Sequence, residues 1–246
     1  PQTPAAPEPM EVPPSVKVKK VPMRPSNLGK VLFEQQGFPK ACRDVGAELA
    51  HVPYWGAPLR SSIPLVVTIH DLITMIIPEY QSSVGSKLYN ALVGASARGV
   101  NQVITDSVAS KNDIVGLLEI SAEKVTPIYL GVGEEYSPDD NFLLDMAVQQ
   151  KYELPEFFTL YLGGYALHKN VHRLLLAYTY VAQGLGPDYP LMLAGKKPEH
   201  TSSRYPDYET YIKQLGLEDN VRWLGYVDEA DKPMLYRAAS SFAFPS

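Results

Sequence analysis

A single cysteine, Cys42, is present among the 246 residues, so no disulfide can form within the chain, which fits a reducing compartment. Long apolar runs are absent too, because the longest apolar region, residues 63–77, is interrupted by Pro64, His70 and Asp71. No stretch therefore has the length of a membrane-spanning helix. Positive charge is scarce, since 22 Lys and Arg residues stand against 27 Asp and Glu residues and leave a formal net charge of −5. This balance argues against a nucleic-acid partner.

Composition and length indicate a globular α/β chain with one large or two small domains. Hydrophobic residues make up 45% and charged residues 20%, which is ordinary for such a protein. Residues 1–26 are rich in proline and predict an extended segment rather than a sheet or helix interior. Turn residues around Ser137 to Asn141 place a domain boundary there, which predicts an N-terminal domain over 1–140 and a C-terminal domain over 141–246.

The most informative stretch runs from Phe157 to Tyr178. An apolar run of strand length ends at Leu162, and Gly163 and Gly164 follow at once. After a polar turn, apolar residues recur at the spacing of one helical face from Val171 onward. Two glycines let a ligand approach the backbone, and a helix N-terminus offers N–H groups that suit a phosphate. The pattern is also compatible with an ordinary strand–helix turn.

This stretch resembles the donor-site opening of family-4 retaining glycosyltransferases, enzymes of the two-domain GT-B fold. Lys169 and Asn170 match the motif of that family, in which the lysine binds the diphosphate of a nucleotide-sugar. His168 stands where arginine is common, and Gly164 stands where many members carry a second phosphate-binding arginine. The resemblance therefore implies that Lys169 is the main cation on the donor phosphates, with Gly163, Gly164 and Asn170 beside it.

A second matching element lies earlier in the chain. The β-branched run from Leu65 to Ile69 predicts a buried strand, and His70 follows it at the strand end where ligands bind in open parallel sheets. The segment TIHDL resembles the family motif whose histidine contacts the donor sugar near the reacting carbon. This implies a catalytic role for His70, although a histidine at a strand end often only bonds to local backbone.

The longest continuous resemblance covers residues 103–132, from VITDS to YLGV, and indicates fold more than mechanism. Here Gln102 to Thr105 predicts a strand, and Asp106 or Ser107 is expected to cap the helix that follows. Earlier, residues 27–38 predict a short helix that stops at Gly37 and Pro39.

Four more residues are candidates for the donor site on the resemblance alone. Gly195 ends a short strand in a pattern similar to L-x-x-A-G and is expected at the donor cleft. Tyr226 and Val227 occupy the turn whose backbone contacts the nucleotide base in the family. Lys232 begins the next predicted helix, where some members carry a ligand-facing lysine; without the resemblance it would be assigned to the solvated surface.

The match breaks off after Pro245 and Ser246, just before the glutamates that hold the donor sugar in the family, and no opening strand precedes residue 27. The expectation is therefore two Rossmann-like domains facing a cleft, both incomplete in this chain, with a complementing segment outside it. An apolar strand over residues 241–244 is expected at the sheet edge.

The resemblance implies transfer of a sugar from a nucleotide-diphospho-sugar to an acceptor hydroxyl, with retention and without a metal or other cofactor. The acceptor class is a sugar, a lipid-linked sugar or a polysaccharide. A cytoplasmic site of action, at the inner face of the membrane and in peripheral contact with it, is compatible with these partners.

Two alternatives stay open. A dinucleotide-dependent oxidoreductase would carry G-x-G-x-x-G between strand and helix, and the segment GGYALH lacks that spacing. A non-catalytic nucleotide- or sugar-binding module, or an inactive fragment of the same fold, is not excluded by the sequence.

Overall fold

The computed structural model describes residues 13–81, 83–138 and 142–246. These residues divide into two compact units: one holds the described residues up to Leu72 together with 87–129, and the other holds the described residues of 73–86 and 130–246. The units differ from the predicted domains in two respects. The segment 73–86 groups with the second unit, and so do the described residues of 130–140.

Unit 1 is built on a four-stranded, wholly parallel sheet in the order β1-β2-β3-β4. Its strands are β1 Ala50–Val52, β2 Leu65–Thr68, β3 Gln102–Thr105 and β4 Val125–Pro127. The register aligns Thr68 with Ile104, so the carboxyl ends of β2 and β3 lie side by side. Val67, Val103 and Val125 are almost fully buried, as expected for parallel strands covered on both faces.

Unit 1 also contains α-helices. Ser107 caps the longer helix that follows β3, because its hydroxyl accepts from the backbone N–H of Ser110 at 3.0 Å. The helices are α1 Asn27–Leu32, α2 Phe38–Asp44, α4 Val84–Gly99 (which begins in the segment grouped with unit 2) and α5 Val108–Leu118, with a 3-10 turn at Ala122–Lys124.

The predicted helix stop at Gly37 and Pro39 is wrong. A π-helical turn, Phe33–Gly37, joins α1 to α2, and Phe38 retains right-handed helical dihedrals. Proline has no N–H to donate and its ring crowds the carbonyl four residues back. A wider π turn just before Pro39, which lies in the first turn of α2, lets the chain stay helical from Asn27 to Asp44.

Unit 2 contains a second parallel four-stranded sheet, in the order β7-β6-β5-β8. Its strands are β5 Thr159–Leu162, β6 Leu191–Ala194, β7 Val221–Gly225 and β8 Ser241–Phe242. Its other helices and turns are α3 Ile73–Ile76, a 3-10 turn Pro78–Tyr80, α6 Phe142–Lys151, a 3-10 turn Leu167–Lys169, α7 Val171–Leu185, α8 Tyr208–Gln214, a 3-10 turn Glu229–Asp231 and α9 Lys232–Ala238.

Alternate strand residues of unit 2 supply two hydrophobic cores, one on each face of the sheet. Tyr161, Leu191 and Leu193 pack with buried residues of α7 and α8 on one face. Leu160 and Met192 pack with Leu235 of α9 on the other. This two-residue alternation places one core on each face of the sheet. Because β5, β6 and β7 are parallel, the loops that follow them emerge at the same end of the sheet.

Candidate functional site

The carboxyl ends of β5, β6 and β7 are joined by backbone hydrogen bonds. Gly163 donates its N–H to the carbonyl of Ala194 at 3.0 Å, and Gly195 donates to the carbonyl of Gly225 at 2.7 Å. Gly195 has a φ of +130°, and a Cβ built on it would lie 2.1 Å from the carbonyl oxygen of Gly163. Only glycine fits this approach, so Gly195 fixes how closely the turns after β5 and β6 sit.

The glycine turn after β5 leaves open space on one side. A Cβ on Gly163 would contact Tyr161 and Phe244 at 3.2–3.3 Å, whereas a Cβ on Gly164 would meet no atom of the described residues within 4 Å. Packing within the unit therefore does not require a glycine at position 164. The space beside it is free for a ligand or for a larger side chain.

Lys169 is the last residue of the 3-10 turn Leu167–Lys169, and α7 begins two residues later at Val171. Its Nζ lies 5.0 Å above the ring of Phe244, and within the part of the chain that is described no carboxylate pairs with it. By contrast, the lysines that follow β6 and β7 are paired with glutamates: Lys196 with Glu199, Lys197 with Glu209 and Lys232 with Glu229. Lys169 is thus a cation held by an aromatic face rather than by an anion.

Asn170 connects this turn to α7 in the left-handed conformation, with a φ of 59°. Its side chain does not cap the helix but donates to the carbonyl of Pro245 at 3.2 Å. The start of α7 therefore has no side-chain cap, and its N–H groups and dipole are directed to the same edge as Lys169. This arrangement suits an anion such as a phosphate.

His168 is held by a residue from a distant part of the sequence. Its Nδ1 lies 2.8 Å from the hydroxyl of Tyr80, and the guanidinium of Arg204 lies 5.2 Å from the centre of the same tyrosine ring. The carbonyl of Arg204 also accepts from the N–H of Leu167 at 2.8 Å. Tyr80 thus connects the turn that carries Lys169 to the loop that carries Arg204.

The predicted base-site residues have different environments. Val227 is 3% exposed and belongs to the α9-side core, so only its backbone is available to a ligand, while Tyr226 is 65% exposed. Lys232, at the start of α9, is paired with Glu229, and this hydrogen bond raises its pKa above the usual lysine value.

In unit 1, His70 lies where the first three strands end. Its Nδ1 is 2.8 Å from the carboxylate of Asp106, and its Nε2 is 3.2 Å from the carbonyl oxygen of Pro53. The ring of Tyr54 lies 6.4 Å from the imidazole centre. The imidazole side chain is 40% exposed, so it is oriented by protein contacts and accessible to a ligand.

Comparison with known proteins assigns this arrangement to a family. The model described as Glycosyltransferase Family 4 matches residues 2–136, which is more than half of the chain. The chain belongs to glycosyltransferase family 4. A second model, Glycosyl transferases group 1, matches residues 146–246, which contain the β5 turn, Lys169 and Lys232.

Relatives of this glycosyltransferase chain are found among both curated proteins and solved structures. O-antigen chain mannosyltransferase B of Escherichia coli is 28% identical over 208 residues, covering 84% of this chain and 53% of that protein. Sucrose-phosphate synthase from Thermosynechococcus elongatus aligns with a TM-score of 0.65 at 20% identity, over 87% of this chain and 55% of that one. Anabaena Alr3699/HepE, in complex with UDP, aligns with a TM-score of 0.65 at 22% identity, over 85% and 56%.

These structural likenesses and the two parallel sheets confirm the predicted α/β class of GT-B type. The chain spans about half the length of each of these three relatives. Among the helices of the described residues, none combines the length and apolar character that crossing a membrane requires. Across the same residues, no group of three or more His, Cys, Asp or Glu side chains is arranged to hold a metal ion.

The structure adds three residues of this family-4 chain to the candidate site that the sequence pattern did not place there. Asp106 was considered only as a helix cap, yet Ser107 caps α5 and Asp106 contacts His70. Its position after the strand next to β2 was a usable signal, because parallel strands end at the same edge. Tyr80 and Phe244, which contact His168 and Lys169, carried no such signal.

Proposed function

We propose that the protein transfers a sugar from a nucleotide-diphospho-sugar to an acceptor hydroxyl, with retention of the anomeric configuration. The observation that carries this proposal is the turn after β5. It combines Lys169, which no described carboxylate neutralises, with the uncapped start of α7 and the open space at Gly164. Membership of glycosyltransferase family 4 supports a sugar transfer rather than another reaction of phosphorylated ligands.

Departure of the nucleoside diphosphate builds negative charge on its phosphate oxygens. Lys169 and the N–H groups at the start of α7 would stabilise this charge, since both are in place before the reaction and need no reorganisation. Gly163, Gly164 and Gly195 keep the backbone close and free of side chains there. The proposal includes metal independence, because the positive charge on the diphosphate would come from this lysine and helix.

The nucleotide base is proposed to lie against the turn after β7, where Tyr226 is exposed and the backbone of Val227 is available. Lys232 would contact the donor only after exchanging its bond to Glu229. Mannose is the first sugar to test, since the Escherichia coli relative is named a mannosyltransferase. UDP is one nucleotide to include, since it is bound in the Anabaena structure.

His70 is proposed to act at the reacting carbon of the donor sugar. Its exposed imidazole, held by Asp106 and Pro53, is suited to a fixed contact with a substrate. The proposed acceptor is a sugar, a lipid-linked sugar or a polysaccharide. The proposed site of action is the cytoplasm, at the inner face of the membrane.

Calorimetric titration with UDP, GDP and ADP tests donor binding directly. We expect one of these diphosphates to bind in the micromolar range and to raise the melting temperature. Incubation of the matching mannose and glucose donors with a mannose-terminated acceptor, in EDTA, then tests transfer. The one-bond carbon–proton coupling at the new anomeric carbon, measured by NMR, tests retention. Binding without any transfer would favour the non-catalytic module, and absence of binding would overturn the proposal.

A further inference from the structure

We propose that Asp106 is a positioning residue for His70, which it holds with the proton on Nδ1. This inference rests on the proposed function only for its catalytic consequence. The contact itself is a feature of unit 1, and it does not depend on which donor or acceptor the protein uses.

Strand register brings the two side chains together. Thr68 of β2 and Ile104 of β3 are aligned partners, and the N–H of Ile69 donates to the carbonyl of Ile104 at 2.8 Å. His70 and Asp106 each lie two residues beyond an aligned partner, so they occupy matching places on neighbouring strand ends. The pairing therefore follows from the sheet and does not depend on a flexible loop.

Asp106 is not needed as the N-cap of α5, because another residue has that role. Ser107, its neighbour, caps α5 by accepting from Ser110. Among the described residues, the carboxylate of Asp106 makes a single ion pair, with His70, and it is only 28% exposed. The carboxylate of Asp106 therefore has no capping role in α5.

The chemistry of the contact assigns the proton. An ionised carboxylate only accepts hydrogen bonds, so at 2.8 Å the Nδ1 of His70 must carry a hydrogen. The carbonyl of Pro53 also only accepts, so its 3.2 Å contact with Nε2 is a hydrogen bond when Nε2 carries a hydrogen as well, and is not one when Nε2 carries none. In both states Asp106 keeps Nδ1–H and the ring plane fixed, which leaves Nε2 as the atom that changes partner.

Long-range nitrogen–proton NMR spectra of the ring test this assignment. In the wild-type protein at neutral pH we expect a protonated Nδ1 for His70, identified by the loss of its signals in His70→Asn. In Asp106→Asn the amide can donate as well as accept, so the Nε2–H form should become populated. Asp113→Asn is the matched control, because it removes the same charge from an exposed position of α5.

Measurement of kcat tests the catalytic consequence of the contact between Asp106 and His70. Asp106→Asn should lower kcat for sugar transfer at least about tenfold, the size of one lost hydrogen bond to a charged group, while the Kd of the bound nucleoside diphosphate stays within about twofold. An unchanged tautomer, or an altered tautomer with wild-type kcat, would overturn the inference. So would a kcat loss explained by a smaller folded fraction. If the wild-type protein transfers no sugar, the proposed function fails, and the NMR spectra still decide whether Asp106 sets the proton on His70.

Discussion

Replacing Gly195 with alanine tests whether the turns after β5 and β6 are fixed by backbone contact. The new Cβ would lie 2.1 Å from the carbonyl oxygen of Gly163. Since van der Waals contact needs more than 3 Å, one of the two segments must move by about 1 Å. The residue also has a φ of +130°, a conformation that costs an alanine about 1–3 kcal/mol.

Two further terms set the expected magnitude. The hydrogen bonds from Gly163 to Ala194 and from Gly195 to Gly225 tie these turns to their neighbours, and weakening one costs about 1 kcal/mol. Alanine also restricts the unfolded chain, which returns about 0.4–1 kcal/mol. We therefore expect Gly195→Ala to lower the free energy of unfolding by about 1–4 kcal/mol, which corresponds to a melting temperature lower by roughly 2–16 °C.

Urea unfolding and calorimetric titration with the preferred nucleoside diphosphate provide the assay, because the substitution should weaken binding as well as stability. Gly184→Ala is the matched control. Gly184 lies in the exposed part of α7 with nothing within 4 Å of a built Cβ, so alanine there should stabilise the protein by about 0.5–1 kcal/mol. Wild-type stability and affinity in Gly195→Ala would refute the reasoning about the close approach.

Three further substitutions probe the proposed donor site. Lys169→Ala should lower turnover at least about tenfold, because a hydrogen bond to a charged group is worth about 1.5–3 kcal/mol; Lys213→Ala, an exposed lysine of α8, is its control, and equal kinetics for the two variants would contradict the role of Lys169. His70→Ala should reduce kcat far more than donor affinity, since the proposed contact strengthens in the transition state; normal specific activity in the folded fraction would assign His70 a structural role. Tyr80→Phe removes the 2.8 Å contact with His168 and should weaken nucleoside diphosphate binding by about fivefold, given about 1 kcal/mol for one neutral hydrogen bond. Unchanged affinity in a calorimetric titration would show that the turn carrying Lys169 does not depend on Tyr80.

Local features of the sequence predicted much of the secondary structure. The β-branched run at Leu65 and the segment from Gln102 to Thr105 gave strands within a residue of their observed ends. The apolar spacing after Val171 gave α7. These elements were predictable because their signals depend on residues three or four positions apart at most.

Parts of the candidate site were also predictable from the sequence. The sequence has a strand, a glycine pair, a lysine and a helix in that order, and this order placed Lys169 beside the start of α7. In the structure Lys169 ends the 3-10 turn just before that helix. The roles assigned to His70, Lys169 and the base-site residues remain predictions, since they depend on a bound donor. No local signal indicated that Val227 is buried in the core. The pairing of Lys232 with Glu229 was predictable in principle, because the two opposite charges are three positions apart.

Only the tertiary structure decided which side chains meet. Asp106 reaches His70 because β2 and β3 are aligned neighbours, and Tyr80 reaches His168 across 88 positions of the chain. Such contacts are set by strand order and by the packing of helices on the sheet, to which residues from distant parts of the sequence contribute together. The sequence by itself determined the strands, the helices and the glycine turn that bring a lysine to a helix start. The fold decided which neighbours orient that turn and the histidine, because hydrogen bonds between remote segments exist only once the sheets have formed.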